Sequence, residues 1–350
     1  MTDASARNGT VASAGTMPRS AFIDPAVPAD GACPFADSVR SEVGRTVVGQ
    51  QVVVERVLIA LLTGGHLLLE GVPGIAKTLL VQAVARAIDL RFARVQFTVD
   101  LLPSDIVGSE ILDQKSGEFR VHRGPIFTNL LLADEINRAS PKVQSALLEA
   151  MQERRVSIGD STYDLPAPFL VIATQNPVEQ SGTFELPEAQ LDRFMLCHRL
   201  DYPSATDEAE VVRRSLGLGL KRHGEGAVPM TAFDAIGEVR KLHLRDLTEA
   251  MTAVQAVHVS DVFMRDCVEL VRLTRTHDEI ELGCSPRAAL ALVHSSRARA
   301  FIHGRAYVIP EDFFALAEDV ILHRMRLRYE ALATGRRPRA VLDSILRSLA

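Results

Sequence analysis

Lys77 and Thr78 close the stretch "GVPGIAKT", residues 71–78, directly behind the apolar run "HLLLE". An ammonium and a hydroxyl at the end of a glycine-bearing turn can meet a phosphate chain and a divalent cation. The pattern is G-x-x-x-x-G-K-[ST] with one departure, since Ala76 stands where the second glycine belongs. Gly71 and Gly74 let the backbone curl, and Val72, Pro73 and Ile75 complete the loop. Backbone N–H groups at the start of the following helix, with Leu79 in its first turn, then face the anion. Alanine is the smallest substitute for glycine, so its cost is modest provided its backbone stays in a common conformation. The plain alternative is a strand–turn–helix without a ligand.

Other residues could complete the chemistry. "NLLLADE" is an apolar strand ending in Asp134 and Glu135, which would emerge at the C-terminal, ligand-binding edge of a parallel sheet. Asp134, with the Thr78 hydroxyl, can hold Mg²⁺, and Glu135 can orient and deprotonate a water that attacks phosphate. Two solvated acids at a strand end are the bland reading. "VIATQNP" delivers Asn176, whose amide can hold the terminal phosphate or the water. In "PEAQLDRF", Arg193 precedes the next strand and could reach a neighbouring subunit's nucleotide. In "CSPRAAL", Ser285 caps a helix and Pro286 opens it, so Arg287 can point from that terminus at phosphate. Such an arginine would draw the helical part of the chain toward the phosphates. Either arginine alone is an ordinary surface charge.

These residues need a scaffold that brings strand ends together. Val54, Val57, Leu58 and Leu61 have the three–four spacing of an amphipathic helix over about 51–63. The runs at 66–70, 94–98, 130–134, 169–174 and 195–200 read as buried strands, with helices between them. Unbroken apolar strands alternating with helices predict an α/β fold whose mostly parallel sheet is covered on both faces. One helix follows the loop over about 78–87, and another has Ser140 as N-cap and Pro141 in its first position. Past Tyr202 helical periodicity takes over, predicting a smaller all-α domain over 204–350 after an α/β domain over 38–203. Residues 217–226 read as a loop. "PEDFFALAEDVILHRMRL" reads as one helix, and Arg324 and Arg328, four apart, as its solvated face. Residues 1–37, rich in Ala, Ser, Gly, Pro and Thr, read as a disordered tail.

Composition narrows the partners. The net charge is −5 and aromatics are 5% with no Trp, which argues against a nucleic-acid partner and against a base-stacking platform. Four scattered cysteines without C-x-x-C spacing give no disulfide framework and no zinc site. No run reaches membrane-spanning length and the start lacks a signal peptide's pattern, so the expectation is a cytoplasmic protein without membrane insertion.

From "VVGQ" through "LLLEGVPGIAKT", "FTVDLLPSDIVGSEIL", "GPIFTNLLLADEINRASPKVQSALLEAMQERRV" and "FLVIATQNPVEQSGTFELPEAQLDRF" to "SPRAAL", the chain resembles the AAA+ ATPases, and among them the MoxR family, over roughly 38–330. The family commonly carries alanine before the loop lysine, so Ala76 belongs to the resemblance. The resemblance implies a P-loop AAA+ domain with an αβα layering and a helical lid, Mg²⁺-dependent ATP hydrolysis, and ATP and Mg²⁺ as ligands. It assigns Lys77 and Thr78 to Walker A, Asp134 and Glu135 to Walker B, Asn176 to sensor 1, Arg193 to the arginine finger and Arg287 to sensor 2. It places Val48, Gly49 and Gln50 by the adenine. "EILDQKSGEFRV", a hairpin candidate turning at Lys115-Ser116-Gly117, becomes the insert of the second helix, near 109–123. "RVSIGDSTYDLP", turning at Gly159-Asp160, becomes the hairpin before sensor 1. It further implies a homo-oligomer, a hexameric ring, that remodels, matures or activates a protein client containing a von Willebrand factor A domain. A metal-chelatase motor subunit and a nucleic-acid motor of the same clade are the alternatives.

Overall fold

Leu67, Leu68 and Leu69 are completely buried because the strand they form lies inside a five-stranded sheet with a layer on each face. The computed structural model describes residues 31–72, 74–115, 117–177, 182–224, 226–234, 236 and 242–349. Most of the expected tail, Pro73 of the loop and Ser116 of the first hairpin turn lie outside these residues. Helices α1 (Pro34–Thr46) and α2 (Gln51–Thr63) come first. The start of α1 overlaps the segment expected as a tail, so Pro34–Asp37 are helical. Pro34 opens the helix, and Ala36, Val39 and Val43 give it a buried stripe at three–four spacing.

The sheet-bearing part then runs β1 (Leu67–Gly71), α3 (Lys77–Ala87), β2 (Phe92–Gln96), α4 (Pro103–Val107), β3 (Gly108–Asp113), β4 (Glu118–Arg123), β5 (Leu130–Asp134), α5 (Pro141–Glu153), β6 (Arg155–Ile158), β7 (Ser161–Asp164), β8 (Leu170–Gln175), α6 (Glu188–Leu191) and β9 (Leu196–Leu200). Strand order is β2-β5-β8-β1-β9, with every neighbour parallel. Leu67 and Leu69 of β1 face one core, shared with α2 and α3. Leu68 faces the other, shared with Phe97, Leu148, Val171 and Phe194. This alternation is the period-two geometry of a strand buried on both sides. Two antiparallel hairpins, β3–β4 and β6–β7, stand apart from the sheet.

Ser204 accepts a bond from the Asp207 N–H and so caps the next helix, α7 (Ala205–Leu216). There follow β10 (Leu220–His223), β11 (Gly226–Pro229), α8 (Leu244–Ala256), α9 (Asp261–Thr276), β12 (Ile280–Leu282), α10 (Pro286–Ile302), α11 (Pro310–Ile321), β13 (Arg326–Leu327), α12 (Tyr329–Ala333) and α13 (Pro338–Leu349). The segment expected as a loop, 217–226, holds strand β10 and the start of β11, with which β10 pairs. Its β10 side chains are all exposed, so no apolar alternation marked it. The helix expected through Leu327 ends at Ile321. A 3-10 turn at Leu322–Arg324 follows, and β13 pairs with β12.

Helix α2 joins the two parts. Val57 and Leu58 share one continuous core with Leu69 and Leu80 on the sheet side and Leu270, Leu292, Phe301 and Leu316 on the lid side. Charges along α2 reinforce the seam. Arg56 donates to Asp319 of α11, which also bonds His198 of β9 at 2.9 Å. Glu55 accepts from Arg299 and His303 of the α10 end, and Arg40 of α1 stands 3.5 Å away. Burial pushes the Glu55 carboxyl up, but the hydrogen bond with His303 and the guanidiniums of Arg56 and Arg299 outweigh it and hold its pKa at about 2. Its folded pKa lies below the usual 4.5. The associated stability is therefore full above that value and lost as pH falls toward 2. Glu55→Gln is expected to lower the unfolding free energy by about 3 kcal/mol at neutral pH, with the deficit shrinking as pH falls through that window. Urea unfolding at neutral pH and at pH 3 measures it; a deficit equal at both would refute the electrostatic account.

Candidate functional site: a phosphate loop, two carboxylates and two distant arginines

The loop leaves β1 at Gly71 and enters α3 at Lys77. Ala76 is the N-cap with φ 59° and ψ 25°, in the left-handed region. The condition for a modest cost, a common backbone conformation, is thus not met. The turn into α3 needs this conformation, which costs alanine about 1–2 kcal/mol, and glycine would adopt it freely. Gly74, at φ 87°, takes a glycine conformation outright. Gln50 donates its amide to the Ile75 carbonyl at 3.0 Å, tying "VVGQ" to the loop. Gly49 has φ 75°, and a Cβ there would lie 2.6 Å from the Asp207 carboxylate of α7. A cavity of about 300 Å³ is lined by Gly49, Gln50, Val53, Leu200, Tyr202 and Asp207. A second, of about 580 Å³, includes Val48 and Arg40 in its lining.

The Lys77 ammonium donates to the Gly71 carbonyl at 2.8 Å. Burial lowers its pKa, and Asp134 and Glu135 oppose that shift. Thr78, Asp134 and Glu135 meet across the sheet edge. Asp134 is buried at the end of β5 and accepts from Thr174 at 2.6 Å through one oxygen. Its other oxygen accepts from Arg94 at 2.7 and 3.1 Å and faces the Thr78 hydroxyl at 3.5 Å. Glu135, at φ 58°, donates its N–H to Thr174. One Glu135 oxygen accepts from Gln96 at 2.9 Å and pairs with Arg138 at 2.8 Å. Asn176, also buried, follows β8 at the same edge. A hydroxyl and a carboxylate are hard oxygen donors suited to Mg²⁺ shared with phosphates, and a lysine at a helix N-terminus suits the phosphates themselves. The residues therefore fit a magnesium nucleotide.

Sequence reading missed Arg94, Gln96, Arg138 and Thr174. Arg94 and Gln96 lie two apart on β2, hence on one face, and Gln96 registers with Asp134. That register is a property of sheet order, which the apolar runs do not encode.

Arg193 and Arg287 lie elsewhere. β1 and β9 run in parallel, pairing Leu67 with Leu196 and Gly71 with Leu200. Arg193 precedes β9 and the phosphate loop follows β1, so a strand length, roughly 15 Å, separates them. Arg193 donates to the Leu148 carbonyl of α5 at 2.9 Å. Arg287 was expected to point at the chain's own phosphates; it stands 3.5 Å from Asp192, at the edge away from the loop. The cause is Ser285, which caps α10 and also donates to both Asp192 oxygens at 2.9 and 3.0 Å. The helix terminus is thereby bound to the turn before β9. Both arginines line one cavity of about 260 Å³ with His66, Met195, Leu290 and Arg324. Arg324, expected on a solvated helix face, is only 5% exposed.

The hairpin expected near 109–123 is β3–β4, and Leu112 pairs with Phe119 near its tip, both exposed. The hairpin at Gly159-Asp160 is β6–β7.

A model of the ATPase family associated with various cellular activities (AAA) matches residues 66–196, and an AAA lid domain model matches residues 272–345. Chaperone MoxR1 of Mycobacterium tuberculosis is 44% identical over 312 residues, covering 88% of this chain and 80% of that protein. Protein MoxR of Methylorubrum extorquens is 33% identical over 319 residues, covering 87% and 90%. Among solved structures, a proposed ATPase from Cytophaga hutchinsonii superposes with TM-score 0.79 at 44% identity, covering 89% of this chain and 94% of that one.

Proposed function

This chain belongs to the MoxR family of AAA+ ATPases, and from that premise we propose that it couples ATP hydrolysis to the remodelling, maturation or activation of a partner protein. The observation that carries the reading is the separation of Arg193 and Arg287 from the chain's own phosphate loop. A catalytic centre needing these cations is completed only by a second copy. The working form is then a ring, six-membered as in the family, with one subunit's arginines facing the next subunit's ATP.

Within one subunit Lys77 exchanges the Gly71 carbonyl for the β- and γ-phosphates. Thr78 and Asp134, its oxygen released by Arg94, would hold Mg²⁺, which would supply neutralisation of the phosphate charge. Glu135 releases Gln96 or Arg138 and takes a proton from the attacking water, while Asn176 orients it. The neighbour's Arg193 and Arg287 stabilise charge on the transferred group.

The client proposed is a protein with a von Willebrand factor A domain. Likeness to MoxR proteins supports that class, and the exposed Leu112–Phe119 tip offers apolar contact. No helix among the described residues is long and apolar enough to cross a membrane, and we propose that the protein acts in the cytoplasm. The test uses purified von Willebrand factor A proteins from the same genome. One of them is expected to co-elute with Glu135→Gln protein in ATP but not with Lys77→Ala protein. Turnover stimulated instead by DNA, with a steep salt dependence, would transfer the assignment to a nucleic-acid motor. Stimulation by a chelatase partner with a porphyrin would transfer it to a chelatase motor.

A further inference from the structure

The buried Arg324 guanidinium makes five hydrogen bonds. Its Nε donates to the Asp192 carboxylate at 2.9 Å. Its Nη1 donates to the Met195 and Val320 carbonyls at 3.2 and 2.5 Å. Its Nη2 donates to the Phe194 and Asp192 carbonyls at 2.5 and 3.4 Å. A guanidinium has five N–H donors in a fixed fork, and each finds an acceptor here. Burying such a group is unfavourable unless its hydrogen bonds are all made.

Four of the five bonds fall on residues 192, 194 and 195, the turn that carries Arg193. His323, from the same 3-10 turn, adds a bond at 3.1 Å to the Phe194 carbonyl. Asp192 also gathers Ser285 and Arg287. One lid guanidinium therefore fixes the backbone on both sides of Arg193, and through Asp192 it fixes the terminus that presents Arg287.

We propose that Arg324 is a positioning residue for hydrolysis on the adjacent subunit: it sets the turn from which Arg193 reaches across, with Asp192 as its partner. The proposal rests on the reading of Arg193 as a finger acting between subunits. Lysine at 324 keeps the charge but has three donors on one nitrogen in place of five on a fork, so it cannot hold four carbonyls and a carboxylate at once. A misplaced catalytic cation costs on the order of 10²-fold in rate even for a shift of about 1 Å.

The plain alternative is a structural tie between lid and sheet, and subunit mixing separates the two. Lys77→Ala subunits keep their arginines but not their nucleotide; Arg193→Ala subunits keep their nucleotide but not their finger. Their mixture should turn over ATP only where an Arg193→Ala subunit's loop faces a Lys77→Ala subunit's arginine. With Arg324→Lys added to the Lys77→Ala subunit, that activity should fall at least tenfold, by the misplacement argument. Added to the Arg193→Ala subunit, whose finger is already gone, Arg324→Lys should leave it unchanged. Arg324→Lys alone should lower kcat while the ATP dissociation constant stays put. Equal loss in both placements, or loss in neither, overturns the proposal. If the parent mixture itself shows no activity, the finger reading fails and this one with it. Asp192→Asn, isosteric and uncharged, is placed in the same two positions; the same asymmetry is expected, so the test survives poor folding of Arg324→Lys. All variants are first shown by gel filtration to assemble like the unmodified chain.

Discussion

Subunits carrying Arg193→Ala, mixed and exchanged with subunits carrying Lys77→Ala, are expected to regain ATP turnover that neither shows alone. Arg193 sits before β9, at the opposite sheet edge from the phosphate loop after β1. Its removal should leave ATP binding intact, since no residue of the loop depends on it. A finger arginine supplies about 10³–10⁵ in turnover by stabilising charge on the transferred phosphoryl group, so Arg193→Ala alone should lie near background. Lys77→Ala fails for a different reason, having lost the cation that meets the phosphates, and calorimetry should show its tight ATP binding gone. The ATPase rate against mixing ratio should rise to a maximum between the two pure proteins. A rate that stays at the sum of the parents would place the action of Arg193 within its own subunit, or nowhere.

Glu135→Gln should bind ATP as tightly as the unmodified protein and fail to hydrolyse it. The substitution preserves the volume and the bond that the Glu135 N–H makes to Thr174, and removes only the group that can accept the water's proton. General-base catalysis contributes about 10²–10⁴-fold, so single-turnover rates should fall by at least the lower figure. Turnover surviving within about tenfold would show that Glu135 is not the base. Arg138 and Gln96, both on one Glu135 oxygen, give a secondary expectation: the glutamine should turn its carbonyl oxygen to these donors and leave their positions undisturbed.

Much of this site could be read from local pattern. Strands that are apolar throughout announced a sheet covered on both faces, and their ends announced Asp134 and Asn176, because a side chain's place at a strand end is fixed by the strand alone. The loop, the Ser285 cap and both hairpins depend on residues within one turn of each other, whereas Ser140 takes the N-cap position of α5 without a side-chain cap bond. What escaped depends on partners far away in sequence. Arg324 looked like a solvated helix residue because the spacing of "HRMRLR" suits a helix; four of its five acceptors lie on residues 192–195, far away in sequence. Arg287 was correctly placed at a helix N-terminus, but Ser285's second bond, to Asp192, decides where that terminus sits. Ala76 shows the limit within a turn: the letter fixes the volume, and the left-handed φ is imposed by the path into α3.

The continuous core around α2 has a mechanical consequence. Separating lid from sheet would bring Leu58, Leu292 and Phe301 into water, and each such side chain costs roughly 1.5–3 kcal/mol to expose. The ion pairs of Arg56 with Asp319 and of Arg299 with Glu55 would be parted as well. Opening the seam would therefore cost several kcal/mol in lost burial alone. In the ring proposed above, a nucleotide-driven stroke would rock whole subunits, each moving as one lever against its neighbour, with the fulcrum at the boundary between copies.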